Sequence, residues 1–62
     1  MKENKERRQR ILQAARDVFA SEGFRNSEVK TIAARAGVGK ATIYKHFESK
    51  EDLLLSLVQE NF

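Results

Sequence analysis

One histidine, four serines and no cysteine give this chain of 62 residues little with which to make or break bonds. His46 has neither a thiolate nor a carboxylate placed to complete a ligand set, so the sequence argues against a metal or catalytic centre there. Ser21, Ser27, Ser49 and Ser56 have no base positioned for them and read as helix caps or surface groups. There is no glycine-rich phosphate loop and no paired acid, so neither an enzyme nor a cofactor is expected. What remains is non-covalent chemistry. Thr42, Tyr44 and Lys45 bring two hydroxyls and an ammonium close together. Lys30, Lys40 and Lys50 stand within reach in sequence, and donors of these types hold phosphate oxygens and base edges.

Those side chains need a scaffold, and apolar periodicity predicts one made of helices. Ile11, Leu12, Ala15, Val18 and Phe19 recur at three- and four-residue spacing, which predicts a helix from Lys5 to Glu22 ended by a left-handed Gly23. Ser27 is suited to cap a second helix running to Ala36, whose buried stripe is Val29, Ile32, Ala33 and Ala36. After Gly37-Val38-Gly39 a third helix, Lys40 to His46, carries Ile43 and then Phe47 inward. Ser49, with Asp52 three residues on as a variant capping box, opens a fourth helix with Leu53, Leu54, Leu57, Val58 and Phe62 on its apolar face. The expected core is Ile11, Ala15, Val18, Phe19, Ile32, Ala33, Val38, Ile43, Phe47 and Leu54. Phe62 is still on the stripe and neither glycine nor proline precedes it on α-helical spacing, so the helix is expected to continue into a further domain.

The second and third helices, joined by a tight glycine turn, have the form of a helix-turn-helix. Ala33 and Ala36 permit a close crossing. At about 100° per residue, an inward Ile43 turns Ala41 and Lys45 outward and puts Thr42 and Tyr44 on the two flanks. That division suits a helix lying in a major groove; the alternative is that these side chains simply solvate an exposed helix. The basic start, Lys2, Lys5, Arg7, Arg8 and Arg10 broken by Glu3 and Glu6, is either an arm on a nucleic-acid backbone or a solvated first turn.

Composition sets the outer bounds. Twelve Lys and Arg against nine Asp and Glu give a net charge of +3, compatible with a polyanionic partner without requiring one. No run of 18 apolar residues exists to span a membrane, and the start lacks the apolar stretch of a signal peptide, so a cytoplasmic protein is expected. A helical protein-interaction module, working through the Leu53, Leu54, Leu57 and Val58 stripe, is the alternative from another functional class.

The segments IAARAGV (Ile32 to Val38), TIYKHF (Thr42 to Phe47) and SKEDLL (Ser49 to Leu54), with Ile11-Leu12-Gln13-Ala14-Ala15, Phe19 and Gly23-Phe24 ahead of them, resemble the N-terminal domain of the tetracycline-repressor (TetR) family. The resemblance covers nearly the whole chain. It implies an all-α fold, with a homeodomain-like three-helix unit over residues 1–48 and the start of a linking helix over 49–62. It further implies a sequence-specific reader of double-stranded operator DNA, most often a ligand-responsive repressor. A C-terminal domain lying beyond this chain would make the homodimer and bind a small-molecule effector. Carried over by position, Lys30, Lys40, Ala41 and Lys45 approach bases, while Thr42, Tyr44, His46 and Lys50 hold phosphates. Ser27 supplies a cap and a further phosphate contact. Two positions depart from the family pattern: Gly39 stands where serine is frequent, and Glu28 stands where threonine or serine is frequent. Glu28 is therefore left out of the contact set.

Overall fold

The computed structural model describes residues 2–60 of the chain, with side chains from Lys5 to Gln59. It contains four helices: α1 (Lys2–Glu22), α2 (Val29–Ala36), α3 (Lys40–His46) and α4 (Lys50–Glu60). No strand occurs among the described residues. Helix α1 is the platform against which α2 and α4 pack, and α3 is held mainly through α2.

Each helix sends one large side chain fully into the centre: Ile11 from α1, Ile32 from α2, Ile43 from α3 and Leu53 from α4. Leu12, Ala14, Ala15, Val18, Ala33, Ala36 and Phe47 complete the buried cluster, with Phe19, Val29, Val38 and Leu57 packed against it. Burying an aliphatic side chain of this size contributes about 1.5–3 kcal/mol. None of the short helices would persist alone, because isolated helices below about 12–15 residues are marginal in water. The shared core is what makes them helical. Ala14 was not on the expected stripe, yet it is buried beside Arg35 and Ala36, where its small side chain lets the end of α2 lie close to α1.

The joints are closed mostly by the backbone. Gly23 is left-handed (φ 82°) and its N–H donates to the Phe19 carbonyl at 2.9 Å, while the Phe24 ring folds back edge-on to Phe19 at 5.2 Å. Gly37 is also left-handed (φ 77°). Its N–H reaches the Ala34 carbonyl and that of Val38 reaches Ala33, the paired bonds of a Schellman ending. At the start of α4 the Asp52 N–H donates to Ser49 Oγ at 3.1 Å, and the Asp52 carboxylate accepts from the Glu48 N–H at 2.9 Å. The expected capping box is thus present, with its carboxylate reaching one residue further back than the usual partner.

Two sequence expectations need correction. Leu54 is not in the core. Leu53 takes that place at 0% exposure, whereas Leu54 is 38% exposed and Leu55 and Val58 are half exposed. On α4 the inward side is Leu53, Ser56 and Leu57, so an apolar run wrapping the helix hid which side packs on α1. Ser27 does not cap α2 either. The capping position is Glu28, in extended backbone with no side-chain cap bond, and its carbonyl accepts from the Thr31 and Ile32 N–H groups. Ser27 is buried instead, its hydroxyl directed to the Gly23 carbonyl at 2.6 Å and the Val18 carbonyl at 3.4 Å near the end of α1. Phe62 lies outside the described residues.

The two glycines of the α2–α3 turn should respond oppositely to substitution. A Cβ at either position meets no atom within 4 Å, but only Gly37 has positive φ. Gly37→Ala is expected to cost about 1–2 kcal/mol from left-handed backbone strain alone. Gly39→Ser, in extended backbone at the cap of α3, is expected to be neutral or stabilising by a few tenths of about 1 kcal/mol. Urea denaturation of the two variants checks this, and equal losses would contradict the left-handed ending.

Candidate nucleic-acid interface

The turn fixes how α3 leaves α2. Gly39, with φ −80° and ψ 158°, caps α3 through its carbonyl, which accepts from the Thr42 and Ile43 N–H groups at 3.0 and 3.4 Å. At the other end the Phe47 N–H donates to the Ile43 carbonyl at 2.9 Å, closing the helix in extended backbone. Between those limits only Ile43 is buried.

Its burial orients everything else on the helix. Lys40, Ala41, Tyr44 and Lys45 are exposed, and Thr42 and His46 are half-buried on the flanks. Tyr44 is 48% exposed, a large aromatic surface for a side chain with a polar tip. His46 lies beside Phe47, ring centroids 6.2 Å apart.

A shallow groove of about 570 Å³ runs beside α3, lined by the start of α2, by Lys40 and Tyr44 of α3, and by Glu48 to Glu51 at the start of α4. It brings Lys30, Lys40, Tyr44 and Lys50 together. Ala41, Thr42, Lys45 and His46 lie outside it, on the remainder of α3. The groove is not uniformly basic: Glu28, Glu48 and Glu51 also line it, and the Lys30 ammonium lies 3.7 Å from the Glu28 carboxylate. Both partners are largely exposed, so the pair contributes little to stability and can open when a stronger anion arrives.

Two of the expected contacts are placed differently. Ser27, at 3% exposure, has its hydroxyl committed to carbonyls inside the fold and offers no donor to a phosphate. Lys50 is half-buried, and its ammonium donates to the carbonyls of Phe24, Ser27 and Arg25 at 2.8, 3.1 and 3.3 Å. An ammonium has three N–H donors. All three have acceptors within the protein, so in the free chain the charge that the resemblance assigns to phosphate is turned inward.

One positioning contact was not read from the sequence. The Arg8 guanidinium lies 5.2 Å from the centre of the Phe47 ring, a cation–π contact tying the first half of α1 to the residue that ends α3. Arg8 was seen only as part of the basic start, because nothing local relates it to a phenylalanine so far along the chain. Arg35 and Asp17, 3.3 Å apart on the surface, similarly join α2 to α1.

Among the described residues no group of three His, Cys, Asp or Glu side chains is arranged to hold a metal, and no helix is long and apolar enough to cross a membrane. Residues 11–57 match the family described as bacterial regulatory proteins, tetR family. A fatty acid metabolism regulator protein of Bacillus subtilis is 43% identical over 60 residues, covering 97% of this chain and 31% of that protein. An HTH-type transcriptional regulator of Staphylococcus aureus is 40% identical over 60 residues, covering 97% of this chain and 32% of its own length. The chain therefore spans about a third of the length of these curated relatives. No solved structure gives a significant match.

Neighbouring residues of α3 should separate folding from recognition. Ile43→Ala is expected to destabilise the chain by about 2–5 kcal/mol, as for other buried large-to-small changes. Tyr44→Phe and Lys45→Ala, on the exposed side, should stay within about 0.5 kcal/mol of the parent. Denaturation midpoints of the three variants measure the difference. A loss at Lys45 equal to that at Ile43 would mean that α3 is rotated from the orientation described.

Proposed function

Because the chain belongs to the tetR family of bacterial regulatory proteins, we propose that it is the sequence-reading head of a transcription regulator, laying α3 in the major groove of double-stranded DNA. The observation that carries this reading is the division of α3: Ile43 is 1% exposed, while Ala41, Tyr44 and Lys45 face outward from a rigid core. A recognition helix needs a fixed rotation of this kind, since base edges are read by side chains held to a set direction.

In this reading Lys40, Ala41 and Lys45 approach the bases, and Lys30 enters from the start of α2. Thr42, Tyr44 and His46 sit to either side, where their donors would meet phosphate oxygens. The opposing carboxylates of Glu28, Glu48 and Glu51 would confine the DNA backbone to the lysine-bearing part of the groove. Residues 1–48 form the reading unit, and residues from 49 onward lead to a dimerising, effector-binding domain of the kind that two thirds of each relative's length could supply. Two heads on one dimer would read half-sites about 34 Å apart. A ligand-responsive repressor, acting in the cytoplasm, is the form of regulation this arrangement suits best.

A second reading rests on Leu54, Leu55 and Val58, which are exposed together on α4. Such a surface suits a protein partner, and within the regulator it is a natural seat for the rest of the chain. Salt separates the readings: binding by phosphate neutralisation weakens steeply as salt rises, whereas an apolar interface is nearly indifferent.

Selection from a randomised duplex library by the parent chain provides the test. Against the selected duplexes, Lys45→Ala is expected to change the preference at one base pair by about 1–3 kcal/mol. Tyr44→Phe should weaken selected and shuffled duplexes by the same factor, because a phosphate contact carries no sequence information. Equal relative losses on every duplex for both variants would overturn the assignment of roles on α3.

A further inference from the structure

Glu28 and Lys30 are two residues apart, a spacing that keeps side chains from facing each other within one helix. Here they meet, because Glu28 stands just before α2 in extended backbone (φ −120°, ψ 145°) while Lys30 lies in its first turn. The Glu28 carboxylate comes within 3.7 Å of the Lys30 ammonium. Helix α2 does not call on that carboxylate. Glu28 serves it through the backbone, its carbonyl accepting from the Thr31 and Ile32 N–H groups at 3.1 Å each, and the side chain makes no cap bond.

Both charges line the groove beside α3 that carries the candidate contacts. The Lys30 and Glu28 side chains are 73% and 62% exposed, so a ligand lying in the groove meets the two together. Lys40 faces the same groove from α3, and among the described residues it has no carboxylate partner. Lys30 is thus the groove cation whose charge is cancelled where it stands. The Debye length at physiological ionic strength is about 8 Å, longer than the spacing of this pair. A polyanion approaching from solvent therefore meets a dipole at the start of α2 in place of a cation.

We infer that Glu28 limits the affinity of the DNA interface: by pairing with Lys30 it withholds one cation from the duplex, and so weakens binding to every sequence alike. The inference rests on the DNA-reading function proposed above. The rival role for the same carboxylate is base reading, since a glutamate can accept from the amino group of cytosine. Base reading needs a side chain held to one direction. A carboxylate this exposed, joined to a flexible lysine, is not so held, whereas charge cancellation needs only that the two ends stay close.

Fluorescence anisotropy with a duplex selected by the parent chain, and with a shuffled duplex, reads the outcome over a range of salt. Glu28→Gln is expected to tighten both duplexes by about two- to fivefold at low salt, the range that an exposed ion pair implies. The slope of log affinity against log salt should steepen by about 0.9 on both, as for one more phosphate neutralised. Glu28→Ala should behave in the same way, because it removes the carboxylate without adding an amide. A gain confined to Glu28→Gln would mean that the new amide makes a contact of its own, and the inference would fall. In a Lys30→Met background most of the gain should vanish, since no ammonium is left to release. Its full persistence there would overturn the role of the pair. Affinity and slope unchanged in both Glu28 variants would also overturn it, and a loss confined to the selected duplex would do so in favour of base reading. The backbone cap of α2 is retained in every variant, and titrations are run where melting curves show each one folded. Failure of the parent to enrich any duplex would instead overturn the DNA reading itself, and the role of Glu28 with it.

Discussion

Ile43 is the only side chain that α3 buries, and its seven-residue helix is too short to be stable on its own. Helix and orientation are therefore acquired together. Lodging Ile43 among Ile11, Ile32 and Leu53 makes α3 helical and fixes its rotation about its own axis. With that rotation set, the 100° step between residues leaves Ala41 and Lys45 no inward option. The outward display of polar side chains is a consequence of one apolar side chain having no other place to go. Interiors pack at near-crystalline density, which allows little slack in that rotation.

The polar contacts serve the same end from outside the core. Arg8 over the Phe47 ring secures the residue that ends α3, and the Arg35–Asp17 pair joins α2 to α1. Gly37 lets the chain turn sharply enough for Val38 to close the angle between α2 and α3. The connection from Gly23 to Glu28 holds no regular structure, yet it takes part in hydrogen bonds to distant residues, through the Ser27 hydroxyl to Val18 and the three carbonyls that receive Lys50. Exposed ion pairs contribute little. The half-buried ammonium, with every donor matched, is the polar feature best suited to hold two elements in register.

Much of this was legible in the sequence because the signals were local. The Gly37-Val38-Gly39 turn, the limits of α3 and the Ser49–Asp52 cap follow from glycine conformation, periodicity and capping over a few residues, and the structure has them where the sequence put them. Leu54 was misplaced because Leu53, Leu54, Leu55, Leu57 and Val58 put apolar side chains around most of α4. Which side meets α1 is decided by packing and not by pattern. Ser27 was misread because a serine followed by a glutamate imitates a cap. The backbone at Glu28 takes that position, and the hydroxyl is drawn to carbonyls near the end of α1. Lys50 showed the limit most clearly: its charge is visible in sequence, but its acceptors lie 23 to 26 residues away.

In the proposed function a buried Ile43 directs the opposite side of α3 to DNA. The most direct test is an NMR titration of the isotope-labelled chain with a selected duplex, following every backbone amide. Shift changes are expected to concentrate on Lys40 to His46 and on the start of α2 around Lys30. The core amides of Ile11, Ala15 and Leu53, and the exposed apolar face of Leu54, Leu55 and Val58, should be almost unmoved. Changes centred on the α4 face, with α3 undisturbed, would contradict it.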